Sequence, residues 1–328
     1  MSANEYKVLV ADDSIRPEGI RMLKEVAWVT ALPAYPSEEE LVDAAQDVDA
    51  ILSRSAVISS PVIGASPKLK IVSRHGVGLD YVDVEACTGH GVLVTITGDA
   101  NSEAVSEHAF GCLCAVARKI AIADAGIRSG EWERERIVGV ELYGKVLGII
   151  GLGRIGSRMA KHARGFAMQV IACDPYVEPE RARRLGVALV DLETLLRRSD
   201  FVSLHVPLTE ETKHMIGRAE LKSMKPSAIL VNTARGAVVD QRALYEALVG
   251  REIAGAALDV FEEEPLPVDH PLTELDNVVC TPHCAGQTTE AMVRVSIRAA
   301  ENILCVLRGE VPSLSLIANP KVLGDMSW

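Results

Sequence analysis

The stretch Val146-Leu-Gly-Ile-Ile-Gly-Leu-Gly-Arg-Ile-Gly156 lies near the middle of the chain and decides its fold. Its first five residues are apolar or small, as expected of a short strand buried on both faces of a parallel sheet. Three glycines, Gly151, Gly153 and Gly156, follow at once, and an apolar stripe with helical spacing comes next. A second apolar run, Met168–Cys173, ends at Asp174. This order of strand, glycine turn, helix, strand and acid predicts a dinucleotide-binding unit.

Each polar or small position in this unit has a physical purpose. Gly151 permits a tight turn, Gly153 lets the backbone approach a pyrophosphate, and Gly156 lets the helix pack closely on the strand. The helix N-terminus offers free N–H groups to the phosphates. Asp174 lies 18 residues after Gly156, where an acid can bind the ribose hydroxyls and repel a 2′-phosphate. The unit therefore favours NAD over NADP, and glycines that serve only as turns would not explain the helix and the acid.

Length and composition set the limits for the rest of the chain. Its 328 residues are enough for about two domains, and 48% of them are hydrophobic. Aromatic residues make up only 4%, so aliphatic side chains fill the core, as in parallel α/β layers. The formal net charge of −11 argues against nucleic acid or an anionic membrane as the main partner.

The cysteines and the apolar runs predict a reduced, cytoplasmic protein. The seven cysteines are scattered in a chain too large to need disulfides. No signal-peptide pattern precedes the first strand, and charged residues interrupt the longest apolar run, so no membrane span is expected. Cys280, His283 and Cys284 do not predict a metal site, because adjacent side chains cannot easily face one ion. We therefore expect no metal.

Predicted strands and helices alternate through the whole chain, which indicates parallel α/β sheets. A first group of strands ends near residue 96, and one long helix is predicted from Ser102 to about Arg128. The charged segment 130–144 leads from it to the organising strand. We predict an α/β protein with two doubly wound parallel-sheet domains. Residues 1–100 and 289–328 form the smaller domain, and residues 101–288 form the dinucleotide-binding domain.

Three polar residues stand at or just past predicted strand ends, which is where open α/β sheets bind ligands. They are Arg235, Glu264 and His283. Taken singly, each has an ordinary interpretation, as a surface cation, part of the acidic run 262–264, and a buried histidine. Together they suit the reduction of a 2-oxo acid. An arginine pairs with the substrate carboxylate, a histidine supplies the proton, and a carboxylate holds the imidazole ring in its charged form.

The chain resembles the D-isomer-specific 2-hydroxyacid dehydrogenases over almost its whole length. The motifs that carry the resemblance are Arg74-x-Gly-Val-Gly-Leu-Asp80, Asn101-x-x-x-Val105, the Gly151 turn with Asp174, His205-x-Pro207-x-Thr209, Asn232-Thr-Ala-Arg-Gly236, Asp259-Val-Phe-x-x-Glu-Pro265 and Thr281-Pro-His-x-Ala-Gly286. The resemblance implies a Rossmann NAD-binding domain and a smaller flavodoxin-like substrate domain, with a cleft between them. It also implies that Arg235, Glu264 and His283 are catalytic in the roles above.

Further site residues follow only from this resemblance. It assigns cofactor-binding residues beyond the glycines and Asp174, namely Val105, Arg154, Ile155, His205, Pro207, Thr212, Thr233, Ala234 and Asp259, the last against the nicotinamide amide. It assigns substrate-binding residues in the smaller domain, with the N–H groups near Val77 and Gly78 holding the carboxylate; these residues are Arg54, Ser55, His75, Gly76, Val77 and Gly78.

The substrate stays open within the family. The chain looks most like short D-3-phosphoglycerate dehydrogenases and hydroxypyruvate or glyoxylate reductases. His75 and Arg54 could bind a second anionic group, or His75 could simply fill its loop. A homodimer is expected through the helix after Asn101 and the segment up to Gly144. The alternative function is a dinucleotide-sensing corepressor of the same fold, which would need an exposed apolar groove for peptides.

Overall fold

The computed structural model describes residues 6–324 and divides into two compact units. The smaller unit consists of the chain up to Asn101 together with the segment from Thr288, and the larger unit is Ser102–Gln287. Each contains one sheet whose strands are all parallel, with helices in between. These features confirm the predicted class of two parallel-sheet α/β domains.

The smaller unit is built around a five-stranded sheet with the order β2-β1-β3-β4-β5. This is the flavodoxin-like order of a doubly wound sheet. Its elements are β1 Tyr6–Val10, α1 Pro17–Lys24, β2 Ala27–Ala31, α2 Glu38–Ala45, β3 Ala50–Ser53, α3 Ser60–Gly64, β4 Ile71–Arg74, α4 Val84–Gly89 and β5 Leu93–Thr95. A long helix from the end of the chain, Thr289–Leu307 (numbered α12 below), completes the unit.

Alternating side chains of this sheet face two separate hydrophobic cores. On one face, Val8 and Val10 pack with α1 and with the helix Thr289–Leu307. On the other face, Leu9 and Ile51 pack with α2, α3 and α4. Since a period of two sends neighbouring side chains to opposite faces, a strand covered by helices on both sides must be apolar throughout. The fully buried β3 has this character.

The larger unit carries a seven-stranded sheet with the order β12-β11-β10-β9-β6-β7-β8. Counted from its own first strand, this is the Rossmann order 3-2-1-4-5-6 with one strand added at the edge. Its elements are α5 Ser102–Ala117, α6 Ile120–Arg128, β6 Val146–Ile150, α7 Arg154–Gly165, β7 Gln169–Cys173, α8 Pro179–Arg184, β8 Ala188–Leu189, α9 Leu192–Arg198, β9 Phe201–Leu204, α10 Arg218–Ser223, β10 Ile229–Asn232, α11 Gln241–Val249, β11 Gly255–Leu258 and β12 Val278–Cys280. The helix α12, Thr289–Leu307, follows them in the chain and belongs to the smaller unit.

Helices cover both faces of this second sheet as well. Leu147 and Ile149 of β6 pack against α5 and α7, whereas Ile150 packs on the other face with α9, α10 and α11. The strand β6 is thus central and mostly buried. Its end delivers the glycine turn to the carboxyl edge of the sheet, where ligands bind in this class of fold.

The single long helix predicted from Ser102 to about Arg128 is wrong, because the helix breaks after Ala117. Lys119 adopts φ of 53°, and a new helix begins at Ile120. The cause lies far along the chain. The N–H of Val140 donates to the Ala117 carbonyl oxygen at 2.8 Å, and a Cβ at Gly139 would lie 2.4 Å from that oxygen. The segment 139–140 therefore occupies the space and the acceptor that a continuing helix would need.

The sequence patterns also missed short elements at the edges of the sheets. The strand β2 is mostly exposed, so it lacks the apolar run that marks the inner strands. The helix α4 follows Asp83, whose side chain accepts a hydrogen bond from the Ala86 N–H at 2.8 Å, a capping signal present in the sequence. No helix within residues 6–324 combines the length and the apolar character that a bilayer crossing requires.

Gly148 tests how closely the central strand must approach its covering helix. A Cβ there would lie 2.2 Å from Ser199 Oγ and 2.6 Å from Leu195 Cδ2. We expect Gly148→Ala to lower the free energy of unfolding by about 1–3 kcal/mol, since extra volume in a packed core forces side chains to move. Urea denaturation followed by circular dichroism measures this change.

Gly165→Ala is the matched control. Gly165 ends α7, and nothing lies within 4 Å of the position that its Cβ would occupy. Alanine is the better helix former, so this variant should be as stable as the wild type or more stable by up to about 1 kcal/mol. Equal stability of Gly148→Ala and the wild type would contradict the close packing.

Candidate active site

The carboxyl ends of the parallel strands of the larger unit collect the predicted site residues at one edge of the sheet. The strand β6 runs into the glycine turn, β9 is followed by His205, and β10 by Thr233. The strands β11 and β12 are followed by Asp259 and Thr281. Residues distant in sequence therefore project from the same edge, as the parallel-sheet rule predicts.

Asp259 organises the loop that follows β12. Its side chain is only 1% exposed. One carboxylate oxygen accepts hydrogen bonds from Thr281 Oγ1 at 2.6 Å and the Cys284 N–H at 2.9 Å, and the other accepts from the Ala285 N–H at 2.9 Å. The His283 N–H also donates to the Asp259 carbonyl oxygen at 2.8 Å. The loop 281–285 is thus wrapped around a single buried carboxylate.

His283 stands at the tip of this loop and pairs with Glu264. Its Nδ1 lies 2.7 Å from Glu264 Oε2, and 47% of the histidine side chain is exposed. Glu264 is itself fixed, because its other oxygen accepts a hydrogen bond from the Phe261 N–H at 2.9 Å. A carboxylate on Nδ1 orients the ring and leaves Nε2 as the atom that can exchange a proton with a ligand.

The charge state of Glu264 suits this pairing. Burial alone would raise the pKa of Glu264, but hydrogen bonds from His283 and Phe261 outweigh it and lower the pKa below its usual value. The positive charge of Arg235 contributes in the same direction. Glu264 is therefore an anion at neutral pH and can accept a hydrogen bond from Nδ1 of His283.

Arg235 lies in the loop after β10. The Asn232 side chain fixes this loop, since its Nδ2 donates to the Arg235 carbonyl oxygen at 2.9 Å and its Oδ1 accepts from the Ala234 N–H at 3.0 Å. A Cβ at Gly236 would lie 1.9 Å from the Phe261 carbonyl carbon, so only glycine allows this backbone approach. The contact seats the arginine loop directly against the loop that carries Glu264. The structure thus brings Arg235, Glu264 and His283 together within one unit.

The glycine turn has the geometry of a dinucleotide cradle. Gly151 has φ of 91°, and a Cβ there would lie 2.6 Å from the His205 carbonyl oxygen. A Cβ at Gly156 would lie 2.0 Å from the Gly151 carbonyl oxygen, whereas at Gly153 it would meet nothing within 4 Å. Gly151 and Gly156 are thus required by the fold, and Gly153 leaves open space at the start of α7, where a phosphate can approach.

Asp174 follows β7 and is held by backbone donors. Its oxygens accept from the Leu152 N–H at 2.8 Å and from the Tyr176 N–H at 2.9 Å. A carboxylate offers about four lone-pair positions, so it retains capacity for two further donors. Asp174 is thereby anchored to the glycine turn and still able to accept hydrogen bonds from a pair of ribose hydroxyls.

Two buried polar atoms at the same edge have no hydrogen-bond partner in the structure, His205 Nδ1 and Thr233 Oγ1. Burial lowers the pKa of His205 to about 3, so its ring is neutral at pH 7, and its Nε2 lies 2.9 Å from Ser203 Oγ. Buried polar groups without partners are rare in folded proteins and indicate a missing ligand or water. Together with the cradle and Asp174, they fit a dinucleotide.

The remaining predicted cofactor residues lie around this edge with ordinary local roles. Val105 on α5 and Ala234 are buried apolar residues. Thr212 Oγ1 donates to the Pro207 carbonyl oxygen at 2.6 Å and so shapes the loop after His205. Arg154 and Ile155 open α7 directly after the glycines.

In the smaller unit, a polar network gathers at the carboxyl ends of β1 and β3. Buried Asp12 accepts hydrogen bonds from Ser14 and from Ser55, and Arg54 donates to Ser14. Burial would raise the pKa of Asp12, but these hydrogen bonds and the Arg54 charge lower it. Among the predicted substrate residues, Ser55 is thus held by Asp12 directly and Arg54 is linked to Asp12 through Ser14. Asp12 was not among the predicted site residues, although it lies two residues after the end of β1.

His75 is 6% exposed, and its Nε2 is buried without a hydrogen-bond partner. Burial, followed by the positive charges of Arg54 and Arg74, lowers its pKa to about 3. A neutral His75 offers a hydrogen bond but no charge, so the hypothesis that this region attracts a second anionic group now depends on Arg54. The adjoining loop is fixed by Arg74, whose Nε donates to the Gly78 carbonyl oxygen at 2.9 Å. Gly76 has φ of 142°, and Val77 is exposed.

One group of three metal-ligating side chains occurs within residues 6–324. His108, Asp259 and Cys284 place ligand-type atoms within 4.8 Å of one another. Burial and the neighbouring Asp259 raise the pKa of Cys284, so its thiol keeps its proton. The Asp259 carboxylate already accepts three hydrogen bonds from the chain itself. The group is therefore a hydrogen-bonded cluster rather than an open site for an ion. His108, a member of this cluster, was not among the predicted site residues.

Comparisons with known proteins place the chain among the dehydrogenases. Residues 110–285 match the family model described as "D-isomer specific 2-hydroxyacid dehydrogenase, NAD binding domain". A D-3-phosphoglycerate dehydrogenase of Methanocaldococcus jannaschii is 47% identical over 93% of this chain and 58% of its own length. A glyoxylate reductase of Korarchaeum cryptofilum is 46% identical over 85% of this chain and 86% of its own length.

A solved structure gives the same result for the fold. The TT0316 protein of Thermus thermophilus aligns with a TM-score of 0.88 and 36% identity, covering 95% of this chain and 99% of its own. The present chain spans little more than half the length of the curated phosphoglycerate dehydrogenases that it matches, 58% in the Methanocaldococcus protein.

Proposed function

The chain belongs to the D-isomer-specific 2-hydroxyacid dehydrogenase family, and on that premise we propose that it interconverts a D-2-hydroxy acid and its 2-oxo acid with NAD as hydride carrier. The observation that supports this most strongly is the 2.7 Å contact between His283 Nδ1 and Glu264 Oε2. It lies in the unit that also carries Arg235 and the glycine turn. The pairing gives one titratable group a defined proton-exchange atom, as proton transfer to a carbonyl oxygen requires.

Each residue of the triad has a separate part in the reaction. The Arg235 guanidinium pairs with the substrate carboxylate and polarises the neighbouring carbonyl oxygen. Protonated His283 gives the proton on Nε2 to that oxygen during reduction and takes it back during oxidation. Glu264 holds the ring through Nδ1 and stabilises the imidazolium.

The bound cofactor would supply the hydride, which no side chain of the protein can provide. The glycine turn and the first turn of α7 would hold its pyrophosphate, and Asp174 would bind the ribose hydroxyls. His205 and Thr233, each with a buried atom lacking a partner, would line the same edge.

For the substrate, we propose a small polar 2-oxo acid of the phosphoglycerate or the hydroxypyruvate and glyoxylate type. The relatives named above carry both kinds of name. We assign Arg54 and Ser55 to the substrate side, and the N–H groups of Val77 and Gly78 to its carboxylate.

The His283–Glu264 pair predicts opposite pH dependences for the two directions. Reduction needs protonated His283 and oxidation needs the neutral ring, so reduction efficiency falls and oxidation efficiency rises with pH. Glu264→Gln keeps the shape but removes the negative charge. We expect its reductive limb to move to lower pH, since the imidazolium loses its stabilising partner. The measurement is kcat/KM against pH in both directions.

Glu263→Gln provides the control for this experiment. Glu263 is an exposed neighbour in the same acidic run, and its removal should leave the limb in place. An unchanged limb in Glu264→Gln would remove Glu264 from the mechanism.

Asp174 predicts a preference for NADH over NADPH. Asp174→Ala removes the charge that would repel a 2′-phosphate, so we expect the ratio of kcat/KM for NADH to that for NADPH to fall at least about tenfold. Asp174→Asn is the matched variant: it removes the negative charge but keeps an acceptor for the Leu152 N–H. A similar fall in this variant would show that the charge, and not the local structure, sets the preference. Comparable efficiency with both cofactors in the wild type would refute the assignment.

We also propose a homodimer through α6 and the segment 130–144. This surface exposes large apolar side chains, with Ile127 56%, Trp132 77% and Val138 70% exposed. Light scattering of the wild type should give twice the chain mass. Ile127→Asp should shift the equilibrium toward monomer, because dimer formation would bury the new charge in the interface. Val268→Asp is the control, since Val268 is 99% exposed elsewhere in the same unit. A monomer mass for the wild type would refute the dimer.

A further inference from the structure

His108 on α5 has no part in the mechanism above, yet it contacts the loop that carries His283. Its Nε2 lies 3.0 Å from Thr281 Oγ1 and 3.4 Å from Asp259 Oδ1. Cys112, one turn further along α5, places its Sγ 3.4 Å from the same nitrogen. All of these residues belong to the larger unit.

The direction of these hydrogen bonds can be assigned. Thr281 Oγ1 lies 2.6 Å from Asp259 Oδ1, and a carboxylate can only accept, so the single hydroxyl proton points to Asp259. The hydroxyl oxygen then accepts from His108, whose Nε2 must carry a proton. The interaction with Asp259, with a smaller contribution from Cys112, raises the pKa of His108 to about 10. His108 is therefore an imidazolium at neutral pH.

The positive charge of His108 compensates the buried negative charge of Asp259. The Asp259 carboxylate is 1% exposed, and burying a carboxylate is costly unless it is paired and hydrogen-bonded. Its other close donors, Thr281 and the two backbone N–H groups of the loop, are neutral. Among the described residues that contact this carboxylate, His108 is the one that brings a positive charge.

The loop has a reason to need such an anchor. His283 has a backbone φ of 47°, which residues other than glycine rarely adopt. Such a conformation persists only where the surrounding structure enforces it. The N–H groups of His283, Cys284 and Ala285 all donate to Asp259, through its carbonyl oxygen or its carboxylate. A shift of Asp259 would therefore move His283 relative to Glu264.

We propose that His108 is a positioning residue for His283: by pairing with Asp259 and donating to Thr281, it holds the loop 281–285 in the geometry that the proton transfer needs. The proposal rests on the proposed function for the proton transfer, but the anchoring of the loop stands on contacts alone. His108 touches neither of the residues assigned to proton exchange, so it acts through Asp259 and Thr281.

The test compares variants that remove the anchor with variants that retain it. His108→Leu removes the donor and the charge, and His108→Gln keeps a neutral donor. Thr281→Val removes the bridging hydroxyl at nearly constant shape, and Thr281→Ser retains it. Cys112→Ala, on the same face of α5, is the control for a local change of packing. Hydrogen exchange at the amides of Cys284 and Ala285 is measured in the protein without ligand, together with the Kd for NADH and the kcat for 2-oxo acid reduction.

We expect at least about tenfold faster exchange at both amides in His108→Leu and Thr281→Val, because their hydrogen bonds to Asp259 open more often. kcat should fall at least about tenfold, and the Kd for NADH should change by a smaller factor than kcat, since Asp259 is itself assigned to the nicotinamide amide. Thr281→Ser should recover most of both losses, and Cys112→Ala should match the wild type. His108→Gln should recover part of both losses, because it keeps a donor for Thr281 but not the positive charge.

Unchanged amide exchange in His108→Leu and Thr281→Val would overturn the proposal. The same holds if His108→Gln shows exchange rates and kcat no closer to the wild type than His108→Leu does. If His108→Leu fails to fold, the comparison of Thr281→Val with Thr281→Ser decides in its place. If the wild type reduces no 2-oxo acid, the proposed function fails, while the exchange rates still decide whether His108 anchors the loop.

Discussion

The buried carboxylate of Asp259 is the constraint on which the candidate site depends. It follows β11, yet its hydrogen bonds reach the loop after β12 and thereby join the ends of two neighbouring strands. The pairing of His283 with Glu264 requires this join, because Glu264 follows the same strand as Asp259 and His283 lies on the loop that Asp259 holds. A single buried charge thus sets the distance between a candidate acid and the carboxylate that orients it.

Glycines at the same edge of the sheet allow backbone segments to approach each other closely. At Gly236 and Gly156 a Cβ would lie within 2.0 Å of another backbone segment, and these two contacts fix the arginine loop and the start of α7. Rigid backbone junctions of this kind hold polar groups in place before a ligand arrives, which reduces the cost of ordering them on binding. The unpartnered atoms of His205 and Thr233 are then the groups that a ligand would satisfy.

Much of this arrangement was predictable from the sequence, for identifiable reasons. The glycine turn with Asp174 and the apolar runs of the buried parallel strands each depend on residues that are close together in sequence. Both could therefore be predicted from the sequence pattern. The meeting of Arg235, Glu264 and His283 followed from the rule for parallel strand ends and from the family resemblance. The break after Ala117 could not be predicted from neighbouring residues, because the group that donates to the Ala117 carbonyl oxygen is the N–H of Val140, more than twenty residues later. His108 was hidden for a similar reason: it lies inside a helix, and its partners Asp259 and Thr281 follow strands much later in the chain.

The most direct test of the central claim is whether purified protein turns over substrate through His283. NADH consumption is measured with glyoxylate, hydroxypyruvate and 3-phosphohydroxypyruvate, and the Kd for NADH is measured in parallel, for the wild type and His283→Ala. We predict that the wild type reduces at least one of the three acids and forms the D-enantiomer where the product is chiral. The variant should bind NADH equally well but lose turnover by about 100-fold or more, the usual contribution of a general acid. NADH binding by the wild type without turnover of any 2-oxo acid, or full turnover by His283→Ala, would contradict the assignment.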